Sequence, residues 1–210
     1  MFGQMTANDW FDQGNALALQ GNSSGAISTY EEAIRQDPQH FRAWNNRGST
    51  LASLGRYDEA ILACDKAIEI DPRDAVFWFN KANSLSLLGR HEEAIQAYIE
   101  ALKINPENKG AWNNLGNALA ALGRYDEALP AYDVAIGLSP GEADFWHNQG
   151  NALAFLGRYD QAILAYEKAI ELNPQDADSW HNKGVALNLL NRAAEANVAL
   201  ARAGQLDLKA

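Results

Sequence analysis

The sequence predicts an all-α solenoid of stacked helix pairs. Three observations carry this expectation. Six tryptophans stand at a constant interval of 34 residues, small and apolar residues repeat in register with them, and Gly and Pro punctuate the intervals at fixed places. Self-similarity at such a period marks a repeat architecture, in which each supersecondary unit buries its apolar face against its neighbours.

Trp10, Trp44, Trp78, Trp112, Trp146 and Trp180 set the register. Counting from each tryptophan, a leucine stands at +7 (Leu17 to Leu187), and alanines stand at +16 (Ala26 to Ala196) and +23 (Ala33 to Ala203). Pro38, Pro72, Pro106, Pro140 and Pro174 close five units. From Ala7, the units fill residues 7–40, 41–74, 75–108, 109–142, 143–176 and 177–210, a single array behind an N-terminal tail of residues 1–6.

Within a unit, Trp, the small residue at +4 and Leu at +7 recur at helical spacing and predict one buried stripe on a first helix. Gly55, Gly89, Gly123 and Gly157 follow it where C-terminal caps stand. Next come an Arg and "YDEA" or a variant, whose acidic residues suit the positive end of a second helix. That helix runs through Ala-x3-Tyr-x2-Ala and stops before the Pro. Two helices this short cannot bury both apolar faces alone, so about twelve helices must stack in sequence.

The +4 row, Gly14, Gly48, Ala82, Gly116, Gly150 and Gly184, lets helix backbones approach. Tyr30, Tyr98, Tyr132 and Tyr166 fill the space beside it, and Cys64 in the same row reads as a small buried hydrophobe. Pro130, inside the fourth unit's second helix, predicts a kink. Polar drift marks both ends, with "GNSSGA" in the first unit and "NRAAEA" in the last, which lacks a closing Pro. Terminal repeats need such outer faces.

A formal charge of −10 and a pI near 4.8 argue against a nucleic-acid binder, and a charged partner would be basic. One cysteine excludes a disulfide framework and a Cys-based zinc site. The start, "MFGQMTANDW", shows neither a basic segment nor an apolar core of a secretory signal. No apolar run approaches the roughly 20 residues that span a bilayer. The expectation is a cytoplasmic protein with no membrane insertion.

The Trp, Leu, Gly and paired Ala rows, the aromatic between them and the terminal Pro resemble the tetratricopeptide repeat (TPR) family over residues 7–210, and wording such as "WNNRGSTLASLGRYDEAI" is similar to its bacterial members. The resemblance implies a right-handed superhelix of helix pairs with first helices lining a concave face. Chaperone-binding members clamp a C-terminal carboxylate with Lys, Arg and Asn; the corresponding face here lacks the Lys and Arg, which argues against that ligand.

Asparagine disfavours helix by about half a kcal/mol or more relative to Ala, yet the +2 row reads Asp12, Asn46, Asn80, Asn114, Asn148, Asn182. The +5 row adds Asn15, Asn83, Asn117 and Asn151. At 100° per residue these rows face away from the Trp stripe, onto the surface the family uses as its groove. Rows elsewhere have diverged, so something retains these amides. A carboxamide offers both donor and acceptor and can bracket a peptide unit of an extended chain. Asparagine rows of this kind resemble those with which family members grip peptide backbone. The rival reading is that the amides hydrogen-bond between neighbouring helices for structure alone.

Phe79 and Phe155 are candidate apolar contacts for such a peptide, and His147 and His181 candidate polar ones, in the +1 and +9 rows around the amides. No phosphate loop, HExxH or nucleophile motif is present, so no enzyme chemistry, cofactor or metal is expected. Arg56, Arg90, Arg124, Arg158 and Arg192 read as surface pairing partners. The leading function is a protein-interaction module that binds an extended peptide in an Asn-lined groove. Alternatives are a scaffold self-associating through uncapped ends, and the substrate-recruiting part of a larger enzyme.

Overall fold

The computed structural model describes residues 5–207, which form twelve helices and no strand. Residues 1–4 of the expected tail and 208–210 of the last unit lie outside the described residues. The chain divides into two compact units, Met1–Pro106 and Glu107–Ala210. The first holds α1 (Ala7–Leu19), α2 (Ser23–Gln36), α3 (Phe41–Ser53), α4 (Tyr57–Ile70), α5 (Ala75–Leu87) and α6 (His91–Ile104). The second holds α7 (Lys109–Ala121), α8 (Tyr125–Leu138), α9 (Ala143–Phe155), α10 (Tyr159–Leu172), α11 (Ala177–Leu189) and α12 (Ala193–Asp207). In each unit the chain makes three antiparallel pairs, and each pair also packs on the next. Among the described residues no helix is long and apolar enough to cross a membrane.

Local signals set the helix ends. Thr6, the last residue of the expected tail, caps α1 reciprocally with Asp9. At the turns, Gly55 and its equivalents take φ of 73–76°. Arg56 N–H reaches back to Leu51 O at 3.0 Å and Gly55 N–H to Ala52 O at 3.0 Å. These two bonds are the Schellman pattern, which satisfies the helix's last free carbonyls and turns the chain within three residues. In the last repeat Asn191 takes the glycine's place with φ 61°. A Cβ added at Gly123 would meet nothing within 4 Å, so backbone strain alone penalises it. Gly123→Ala is therefore expected to lower stability by about 1–2 kcal/mol, whereas Asn191→Gly should hold or raise it. Urea midpoints of the two variants check both signs.

The two alanine rows form the spine of the core, every member being at most 3% exposed. Gly116 and Gly150 sit against Tyr132 and Tyr166 so closely that a Cβ would fall 2.6 Å from a ring carbon in each case. Cys64 fills the tyrosine's place in the second repeat, and burial pushes its thiol up to about 12. It is a packing residue, inert at neutral pH. The helix α8 carries the exposed Pro130 without interruption from Tyr125 to Leu138.

The tryptophans do more than fill a stripe. Each is only half-buried, and in four of them the indole N–H reaches the carbonyl of the proline that closes the preceding repeat. The bonds are Trp44 to Pro38 at 3.1 Å, Trp78 to Pro72 at 3.0 Å, Trp146 to Pro140 at 2.9 Å and Trp180 to Pro174 at 3.2 Å. The 34-residue register of Trp and Pro thus acts as a staple across these four inter-repeat loops. The arginine row pairs as the sequence suggests: Arg56, Arg90, Arg124 and Arg192 grip Glu59, Glu93, Glu127 and Glu195 through two nitrogens each. In each pair the hydrogen bond to Arg holds the glutamate below its ordinary pKa.

Candidate functional site

The asparagines of the first helices form hydrogen-bonded bridges between adjacent repeats, in two modes. Where the preceding repeat has Asn at +5 and an aromatic residue at +1, the +2 amide donates to that +5 oxygen. Asn46 to Asn15 (2.9 Å) joins α3 to α1, and Asn182 to Asn151 (3.0 Å) joins α11 to α9. Where the preceding repeat has Asn at +1, the amide donates there instead: Asn80 to Asn45 (2.9 Å) and Asn148 to Asn113 (3.0 Å). Asn45 and Asn113 are 6% and 8% exposed, so these two +1 residues lie between repeats and not on an open surface. Each donates in turn to the next residue, Asn46 or Asn114, at 3.3 Å.

A second set of bonds fixes the +5 amides from below. Tyr30, Tyr98, Tyr132 and Tyr166 donate their hydroxyls to Asn15, Asn83, Asn117 and Asn151 at 2.6–2.9 Å. Burial raises the pKa of Tyr30, Tyr132 and Tyr166, which keeps them protonated donors. A signal for this pairing lies in the sequence. Asn stands at +5 in every repeat with Tyr at +20, while Ser49 accompanies Cys64 and Val185 accompanies Leu200. The two rows change together because they touch.

His147 belongs to the same network. Its Nδ1 lies 2.7 Å from Ser179 Oγ, its Nε2 lies 2.9 Å from Asn151 Nδ2, and Ser179 Oγ donates to Asp176 Oδ2 at 2.5 Å. A neutral ring with its proton on Nδ1 satisfies all three contacts. His181, one repeat on, is exposed. Phe79 is half-buried and packs on Tyr98 with centroids 6.1 Å apart. Phe155, by contrast, is 71% exposed, and Tyr125 stacks on it at 4.7 Å with rings 3° from parallel.

Hollows open where these rows meet. One of about 250 Å³ lies among Asn117, Tyr125, Tyr132, Asn148, Asn151 and Phe155. A second of about 360 Å³ shares Asn151 and Phe155 and continues to Tyr159, Asn182, Val185 and Leu189. The first unit has a counterpart of about 360 Å³ among Asn15, Leu19, Tyr30, Asn46 and Ser49. The amides there keep unused capacity: Asn148 Oδ1, Asn182 Oδ1 and Asn117 Nδ2 have no partner among the described residues. Of the residues singled out in the sequence, Asn117, Asn148, Asn151, Asn182 and Phe155 therefore converge on one surface. Tyr125 and Tyr159, at the start of the second helices, are wall residues that the sequence reading missed.

Models of the tetratricopeptide repeat match residues 11–75, 79–143, 143–176 and 165–196. The chain belongs to the tetratricopeptide repeat family. Among solved TPR structures, that of YrrB, described as a TPR protein with an unusual peptide-binding site, is similar with 25% identity and a TM-score of 0.74, over 84% of this chain and 91% of its own. The crystal structure of MamA protein shares 24% identity and a TM-score of 0.75, over 81% and 93%. A tetratricopeptide repeat protein from Parabacteroides merdae shares 18% identity and a TM-score of 0.78, over 92% and 77%. The last two likenesses show the TPR fold alone. No curated protein matches the sequence.

Proposed function

We propose that this TPR chain is a protein-interaction module that holds an extended peptide segment of a partner along the asparagine-lined surface of its first helices. One observation carries the reading: the adjoining hollows of the last three repeats combine amides of unused hydrogen-bonding capacity with an exposed phenylalanine. Inter-repeat bonds fix Asn148 and Asn182, and the Tyr132 hydroxyl fixes Asn117, so their free valences meet a ligand with little ordering cost. An extended peptide needs one donor and one acceptor satisfied per residue, which a carboxamide row supplies. The peptide-binding site named for YrrB supports the same class of ligand. Adjacent helices stand roughly 8–10 Å apart and an extended chain rises about 3.3 Å per residue. Three repeats thus accommodate about nine residues.

The test is selection of binders from a display library of random peptides, followed by amide chemical-shift mapping on the whole chain. Shifts should centre on Asn148, Asn151, Phe155, Asn182 and Val185, and Phe155→Ala should weaken binding. A footprint on Leu164 and Val198, exposed on the second helices, would remove the proposal. So would self-association that blocks the surface, which favours the scaffold reading.

A further inference from the structure

Resting on the peptide reading above, we propose that the last two repeats recognise a basic–apolar–basic triplet within the extended segment: an aliphatic or aromatic residue flanked on both sides by Lys or Arg.

The argument starts from two parallel stripes. On α9, Asp144, Asn148, Asn151 and Phe155 follow one another at steps of four, three and four residues; on α11, Asp178, Asn182, Val185 and Leu189 do the same. Such steps place residues on one line along a helix. Each stripe therefore runs from a carboxylate at the helix N-terminus, through amide, to an apolar residue at the C-terminus. Side by side, the stripes make an acidic lip, a polar floor and an apolar lip.

Both carboxylates are exposed, and neither has an ion pair or a side-chain hydrogen bond among the described residues. Their neighbours differ: Glu142, Glu167 and Glu171 are paired with Lys109, Lys183 and Lys168, and Asp176 is engaged by Ser179. The helix dipole favours acid in a first turn, but it leaves the outward side of the carboxylate open. Acid in this row is also not a property of the repeat. The equivalent positions are Asn8, Arg42, Val76 and Gly110 in the other four. It appears in the two adjacent repeats that carry Phe155 and Leu189 at the other end of the helix, whereas Leu19 and Leu87 hold that apolar place in repeats with Asn8 and Val76. No lysine or arginine lines the hollow between them.

Peptide geometry turns these lips into a pattern. Successive side chains of an extended chain point to opposite sides. With the backbone on the asparagine floor, a residue aimed at Phe155, Val185 and Leu189 sends both its neighbours toward the acidic lip. Those neighbours are about 6.6 Å apart, against roughly 8–10 Å between the helices bearing Asp144 and Asp178. Flexible Lys or Arg stems span the difference. The carboxylates lie four residues, about 6 Å along the axis, from the amides, within reach of a long basic side chain and beyond that of a short one.

The experiment uses the full chain and fluorescein-labelled peptides of serine and threonine with one of four centres: Arg–Phe–Arg, Ser–Phe–Ser, Glu–Phe–Glu or Arg–Ser–Arg. Anisotropy titrations should rank the first tighter than each of the others, by about three- to tenfold over Ser–Phe–Ser, as expected for two exposed ion pairs added to one apolar anchor. Asp144→Asn combined with Asp178→Asn should bring Arg–Phe–Arg down to the level of Ser–Phe–Ser and leave the latter unchanged. Phe155→Ser should weaken both. Equal binding of the Arg- and Glu-flanked peptides overturns the triplet, as does an arginine preference that survives the double Asp variant, since that preference would come from overall charge. Ser–Phe–Ser binding that is lost with Phe155→Ser but shows no basic preference leaves the peptide groove standing without the triplet. Failure of every peptide to bind removes both.

Discussion

Trp146→Ala is expected to cost about 3 kcal/mol of stability, near the lower bound for removing a large aromatic because the ring is only half-buried. Two losses combine. The indole packs on the cluster of Ala135, Ile136 and Phe145 that joins the fourth and fifth repeats. Its N–H also satisfies Pro140 O at 2.9 Å across the loop between them. Trp146→Phe separates the two: it keeps most of the ring contact and loses the bond, so it should cost about 1 kcal/mol. Repeat arrays transmit stability only between neighbours, so hydrogen exchange in the alanine variant should accelerate first in residues 125–172. Chemical denaturation of both variants is the measurement. An alanine variant within about 0.5 kcal/mol of the parent would show that the Trp–Pro register serves something other than the inter-repeat seam, and a phenylalanine variant as weak as alanine would place the whole effect in the indole N–H bond and none in ring packing.

That staple also shows what was legible in the sequence. The periods of Trp, Gly and Pro predict the helices and turns because those residues act locally, through cap geometry, φ and a missing N–H. Hence each first helix begins at residues 7, 41, 75, 109, 143 and 177, in step with the repeat. The partner of the indole N–H is six residues away, yet it depends on how the loop folds back, and periodicity alone placed Trp simply in a buried stripe. Asparagine contacts are harder still. Asn46 and Asn182 reach partners 31 residues back, whereas Asn80 and Asn148 reach partners 35 back. The choice is set by what stands at +1 in the neighbouring repeat. A helical wheel of one repeat cannot contain this, so it leaves open whether the amides face a ligand or bridge neighbouring helices. The tyrosine–asparagine pairing was the readable part, since Cys64 with Ser49 and Leu200 with Val185 mark where it lapses. Phe155 was singled out as the aromatic of a +9 row that is leucine in three repeats, and it is the aromatic that both hollows of the last repeats share.

The asparagine bridges carry the second expectation, in which two chemically identical changes have unequal effects. Asn148→Ala removes the donor to Asn113 Oδ1, and Asn113 is buried at 8% exposure with no other donor to that oxygen among the described residues. An unsatisfied buried acceptor costs about 1–3 kcal/mol, against a helix-propensity gain of roughly 0.5–0.7 kcal/mol from alanine. The net loss should be about 1–2 kcal/mol. Asn182→Ala removes the donor to Asn151 Oδ1, but Tyr166 still donates to that oxygen at 2.9 Å. Propensity and the lost bond then nearly cancel, and stability should change by less than about 0.5 kcal/mol. A double-mutant cycle of Asn148→Ala with Asn113→Ala, read by urea midpoints, should give a coupling of about 1 kcal/mol, as contacting residues do. Rows retained for ligand alone would behave differently: the free protein would hold or gain stability at both sites, with no coupling. That outcome would remove the bridges as the reason for the fixed amides. The expected outcome, a loss at Asn148 and near-neutrality at Asn182, leaves the second amide as the cleaner probe of peptide binding, because its removal disturbs the ligand's contacts while sparing the fold.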